Sequence, residues 1–285
     1  MQSAVLVALF FIMFSLGTTL RASDFASALA DRRALALGLC CQFMVLPALA
    51  FAVAMLAQMS PLLAVGMVLL ACSPAGTTSS YFSFIAGGDV ALSVVLTVIS
   101  SLASAITLPL YLWIAAHSFS GPEGIVQMNL VETIKSTLQL TLIPMLSGML
   151  IRQLAPLTIA RINRSIRLAA AGLFSFVVLV MWITEWRLIA TSAALVGLAT
   201  MALNFATLAC SELAGRGFGL SAARRASVVL DAGIRNVAFT VGIALYVLEQ
   251  PTLAVPASVY GVTMIVTGLA VVWLRRRITA EWIPG

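Results

Sequence analysis

Long apolar stretches alternate with short polar connections along almost the whole chain. Nine stretches, at roughly 3–20, 34–57, 61–86, 90–116, 130–151, 166–185, 188–211, 226–248 and 253–274, approach or exceed the length of a bilayer-spanning helix, which needs about 20 residues. No alternating strand pattern competes with them. The expected fold class is therefore all-α: a polytopic membrane protein of about nine transmembrane helices. Two of the stretches are interrupted. The third is broken at Pro74–Ser80, where Pro74, Ala75 and Gly76 run directly into Thr77, Thr78, Ser79 and Ser80; the eighth is broken near Asp231–Asn236, with Gly233 in the middle. Lipid cannot hydrogen-bond the backbone groups that such breaks release, so both must face protein or a watery cavity. Corresponding interruptions in two halves point to a transporter's binding site. Each broken stretch is followed by one long unbroken one, which hints at inverted repeats with one helix lost at the N-terminus.

Composition sharpens this picture. The 285 residues are 61% hydrophobic and 9% charged, against about 25% charged in a soluble domain. No sizeable soluble domain fits. The net charge of +6 does not point to nucleic acid, because the basic residues lie in short loops. Thirteen of the 16 fall on one side: Arg21, Arg32 and Arg33; Arg152, Arg161, Arg164 and Arg167; Arg216, Arg224 and Arg225; and Arg275, Arg276 and Arg277. This asymmetry predicts an outside N-terminus and a cytoplasmic C-terminus. No basic residue precedes the first apolar run, so a retained span is expected rather than a cleaved signal. Cys40, Cys41, Cys72 and Cys210 read as small buried hydrophobes, and His117 is the only histidine, so no metal cluster is expected. With no nucleophile–base set, Walker loop or cofactor fingerprint, neither an enzyme nor an organic cofactor is expected.

The sharpest chemistry lies inside the spans. An ionised residue at the bilayer centre costs about 2.5–3.5 kcal/mol on insertion scales, so Asp231 and Arg235 need partners. They read as a cation or proton site with an adjacent guanidinium, or as an ion pair at i,i+4. Gln42 lies five residues before Pro47, and its amide could serve a cation or a freed carbonyl. Ser93 and Thr97 share one helix face. Hydroxyls, an amide oxygen and one carboxylate form a hard-oxygen environment suited to Na⁺. Asp89 reads as the N-cap of the fourth span, and Glu132 with Lys135 as a solvated pair.

These residues resemble the bile acid:sodium symporter family over nearly the whole chain. The resemblance rests chiefly on Pro74-Ala-Gly-Thr-Thr-Ser-Ser followed by Gly88-Asp-Val-Ala-Leu-Ser-Val-Val-Leu-Thr97. Leu16-Gly-Thr-Thr-Leu-Arg-Ala-Ser-Asp-Phe25, Gln42-Phe-Met-Val-Leu-Pro47 and Asp231-Ala-Gly-Ile-Arg-Asn236 support it. It implies inverted repeats, two discontinuous helices crossing near the midplane, and a panel (about 1–22 and 130–187) beside a core (about 34–117 and 188–276). The chain starts where the family's second span usually starts, which suggests a nine-span form. The resemblance implies one sodium site at Ser79, Ser80, Ser93, Thr97 and Asp231, with Ser80 in place of a common Asn and Asp231 in place of the usual Glu. A second site would use Gln42 and Asp231, but Arg235 replaces its later Gln. A guanidinium has no acceptor, so that site is expected to be absent, with Arg235 as a built-in cation.

The expected substrate contacts are Thr77, Thr78, Asn236 and Arg235. The expected function is secondary transport of small organic anions, bile-acid-like or pantoate-like carboxylates, across a bacterial inner membrane, with Na⁺ as the candidate coupling ion. The alternatives are a Na⁺-independent or proton-coupled permease of the same fold and, from another class, a membrane sensor that binds without translocating.

Overall fold

The structure, a computed structural model, describes residues 2–19, 32–76, 78–120, 129–184 and 186–280. Among them helices account for all regular structure except one isolated bridge between Ala75 and Arg235. The helices are α1 (Gln2–Thr19), α2 (Arg32–Leu56), α3 (Pro61–Cys72), α4 (Thr78–Ile85), α5 (Val90–Ser120), α6 (Leu130–Leu154), α7 (Pro156–Thr184), α8 (Trp186–Gly217), α9 (Ala222–Gly233), α10 (Val237–Val247) and α11 (Val255–Ala280). All nine apolar stretches coincide with helix, the third as α3 and α4, the eighth as α9 and α10. Five described helices (α2, α5, α6, α8 and α11) are long and apolar enough to cross a bilayer.

α3 lies at the centre. Every residue from Leu63 to Cys72 is buried, which suits a helix that is apolar all round. It packs on α2, α5 and α11. α1 packs mainly on α6 and α7. The α1–α6 approach depends on two glycines: a Cβ on Gly17 would lie 2.0 Å from the Met145 carbonyl oxygen, and one on Gly148 would lie 2.3 Å from that of Phe14. Small residues let membrane helices approach this closely. Leu16, Val98 and Met145 then join α1, α5 and α6 in one buried cluster. Leu157, Leu168, Phe176, Leu179 and Ile183 leave much of α7 apolar and exposed, as a lipid-facing helix requires.

The breaks sit slightly off their expected places. α4 resumes at Thr78, so Ser79 and Ser80 are helical, and Gly233 is the last residue of α9, so Asp231 lies in its final turn. Two smaller expectations fail. Cys40 is exposed and Cys210 only partly buried, because neighbouring positions on a helix face different sides. Glu132 and Lys135 are both exposed and form no ion pair; solvated charges gain little from pairing. Asp89 caps α5, its Oδ1 accepting from Leu92 N at 3.0 Å.

Candidate functional site

The two breaks supply each other's missing backbone partners. Ser73 precedes Pro74 and is extended (φ −64°, ψ 152°), ending α3, since proline disfavours helix at the residue before it. Ile234 is extended after α9 (φ −108°, ψ 106°). Gly76 N donates to Ile234 O at 3.0 Å and Asn236 N to Pro74 O at 2.9 Å. A Cβ on Gly76 would lie 3.1 Å from the Arg235 carbonyl oxygen, so this antiparallel contact favours a glycine. Ala75 N donates to Ser100 Oγ at 3.2 Å. The Gly233 carbonyl accepts from Asn204 Nδ2 at 2.9 Å and Tyr260 Oη at 2.8 Å. Irregular backbone at membrane depth is thus satisfied by protein groups, as it must be.

Asp231 is fully buried and its carboxylate accepts from four side chains. Ser79 Oγ (2.5 Å), Thr97 Oγ1 (3.0 Å) and Ser93 Oγ (3.1 Å) donate to Oδ1, and Gln42 Nε2 (2.6 Å) donates to Oδ2. Ser80 Oγ lies 3.1 Å from Ser93 Oγ. All six residues expected to serve an ion therefore belong to one network drawn from α2, α4, α5 and α9. Gln42 reaches it through a π-helical turn, Cys41–Val45, closed by Leu46 N on Cys41 O. Pro47 has no N–H for the Phe43 carbonyl, and Tyr111 Oη donates there instead, at 2.6 Å. A π turn beside such a proline re-aims the side chains it carries.

An acceptor-only carboxylate surrounded by donors is the ionised form's environment. The same residues offer hydroxyl oxygens and a carboxylate to a hard cation once the hydroxyls turn their lone pairs inward. That donor set fits Na⁺ rather than a soft metal.

Arg235 excludes one of the two readings, the ion pair at i,i+4. It is 2% exposed and forms no ion pair with Asp231. The helix ends between the two residues, which abolishes the i,i+4 relation. Instead Nη2 donates to the Ser73 carbonyl, while Nε and Nη1 have no hydrogen-bond partner among the described residues. The guanidinium therefore sits at the C-terminal end of α3, where a helix favours a cation. Asn236 caps α10, its Oδ1 accepting from Phe239 N at 3.0 Å. Thr78 is half-buried at the first turn of α4, and Thr77 lies outside the described residues.

Sequence reasoning missed Ser73, Ser100, Asn204 and Tyr260. Asn204 carried the signal that singled out Gln42, an amide in an apolar span. Ser100 continues the Ser93–Thr97 face. A cavity of about 350 Å³ between α1 and α6, lined by Leu6, Phe10, Leu140 and Pro144 among others, shares no residue with this network.

Residues 6–192 match the model of the sodium bile acid symporter family. A probable chloroplastic sodium/metabolite cotransporter of Arabidopsis thaliana is 28% identical over 95% of this chain and 66% of its own length. An uncharacterised sodium-dependent transporter of Bacillus subtilis is 30% identical over 53% of this chain and 45% of its own. Human sodium/bile acid cotransporter 4 is 34% identical over 51% of this chain and 33% of its own. The chain thus spans about two thirds or less of the length of these curated relatives.

Proposed function

Because the chain belongs to the sodium bile acid symporter family, we propose that it is a secondary transporter that moves small organic anions by alternating access, with Na⁺ as coupling ion at Asp231. The observation that carries this reading is the Asp231 network, in which four helices bring hydroxyls, an amide and a carboxylate together beside two broken helices. The names of the relatives, sodium/metabolite and sodium/bile acid cotransporters, support the ion and the kind of cargo.

In this reading Na⁺ binds among Ser79, Ser80, Ser93, Thr97 and Asp231 and ties α4, α5 and α9 together. Coupling requires that the ion bind one conformational state better than the other. Arg235 holds the place of a second cation at the end of α3, which leaves one Na⁺ per cycle, and it supplies a counter-charge for the substrate carboxylate near Thr77, Thr78 and Asn236. α1, α6 and α7 form a panel against which the remaining helices, the core, rotate. The N-terminus lies outside and the C-terminus in the cytoplasm of a bacterial inner membrane, by the arginine asymmetry.

The test is uptake of labelled carboxylates into proteoliposomes with Na⁺ and pH gradients imposed separately. Uptake driven by Na⁺ and lost in Asp231→Asn is the expected result. Uptake indifferent to Na⁺ would sink the coupling, and a response to pH alone would replace Na⁺ by a proton on Asp231. Binding without accumulation against a gradient would replace transport by sensing.

A further inference from the structure

At one end of the core, arginines outnumber carboxylates among the described residues. Glu212, near the end of α8, accepts from Arg216 Nε (2.8 Å) and Arg225 Nε (2.9 Å) on Oε1 and from Arg275 Nη2 (2.7 Å) on Oε2. Arg275 Nη1 also donates to Ala222 O, and Arg225 Nη1 to Leu220 O. Arg276 Nε donates to Ile85 O. Arg224 lies 4.0 Å from Asp89. These contacts draw the ends of α4, α8 and α11 and the starts of α5 and α9 to one level. Among the described residues there, six arginines (216, 224, 225, 275, 276 and 277) face two carboxylates, Glu212 and Asp89. Glu212 is thus one carboxylate shared by three guanidiniums.

The surroundings are those of a bilayer interface. Arg277 lies over the Trp273 ring, 4.0 Å from its centroid. Leu213, Phe218, Trp273 and Leu274 expose between 51% and 67% of their surface beside the arginines. Apolar side chains next to a tryptophan and a row of arginines match acyl chains below and phosphates above. A guanidinium presents a planar fork that fits a phosphate.

We infer that this rim is a binding site for the headgroups of anionic phospholipids. Glu212 clamps Arg225 and Arg275 as its floor; Arg216 on that same carboxylate, and Arg277 beside Trp273 on the opposite face of α11 from Arg275, each meet a lipid phosphate at the rim. The site is separate from the Asp231 network and does not depend on the transport reading.

The test is native mass spectrometry of the delipidated full chain titrated with phosphatidylglycerol or phosphatidylcholine. The variants are R216Q/R277Q, which keeps the Glu212 contacts to Arg225 and Arg275, and R187Q, which removes an arginine outside the cluster. The wild type should retain phosphatidylglycerol about tenfold or more over phosphatidylcholine, R187Q should keep that preference, and R216Q/R277Q should lose most of it, since each interfacial arginine contributes a severalfold attraction. A thermal melt shows whether the double variant is folded; were it not, R216Q alone should lower the preference. Equal retention of the two lipids by the wild type overturns the proposal. So does an undiminished preference in folded R216Q/R277Q, or displacement of the lipid by millimolar inorganic phosphate, which would mark a site for free anions rather than membrane lipid.

Discussion

In the proposed transport cycle, Arg235 is the residue on which ion stoichiometry turns. Its guanidinium donates to the Ser73 carbonyl at the end of α3 and is buried with two nitrogens that have no partner among the described residues. A permanent cation cannot share that place with Na⁺. Sodium activation of uptake should therefore follow a Hill coefficient near one. Arg235→Gln removes the charge and adds an amide oxygen. It should raise the Hill coefficient above one and weaken anion affinity, both read from uptake against Na⁺ and substrate concentration. An unchanged coefficient with unchanged substrate KM would refute both roles. The sequence exposed Arg235 and Asp231 because intramembrane charge is rare. Of the two readings it left open, the ion pair at i,i+4 fails, because a four-residue spacing implies contact only while the helix continues. The acceptor that replaced Asp231, the Ser73 carbonyl, is backbone, and a side-chain pattern does not display it.

At the scale of elements, the breaks were legible because proline and glycine act locally. Their exact ends were not, because Ile234 and Pro74 are held outside helix partly by backbone bonds between the two breaks. The π turn of α2 has a local trace in Pro47, yet its use depends on Tyr111 filling the Phe43 carbonyl from another helix. Close helix contacts are similar: nothing local distinguishes Gly148 from Gly172, although a Cβ on Gly148 meets backbone at 2.3 Å and one on Gly172 meets nothing. Backbone cannot yield as a side-chain tip can, so Gly148→Ala should destabilise the protein by about 1–3 kcal/mol, the range for overpacking. A thermal melt in detergent should show a clear drop in midpoint for Gly148→Ala and almost none for Gly172→Ala. Equal midpoints would mean that α1 and α6 do not approach as described.

At the scale of the whole molecule, the proposed division into panel and core makes a mechanical claim. α1 packs mainly on α6 and α7, but it also touches α10, the half-helix after the second break. A Cβ on Gly242 of α10 would lie 3.2 Å from the side-chain tip of Leu9 on α1. If the core rotates against the panel, this contact must part in every cycle, whereas the Asp231 network, built wholly from α2, α4, α5 and α9, need not open. Replacing the four native cysteines and introducing L9C/G242C gives a pair that an oxidant or a short bifunctional thiol reagent can join. Cross-linking should abolish uptake, and cleaving the link with a reductant should restore it. Na⁺ binding, followed by protection against thermal unfolding, should persist in the cross-linked protein, because the ligands proposed for the ion all lie on α4, α5 and α9. Transport that continues at full rate through a complete cross-link would show that α1 and α10 move as one body and that the boundary lies elsewhere. Loss of Na⁺ protection together with transport would instead place the ion site under the control of the α1–α10 contact.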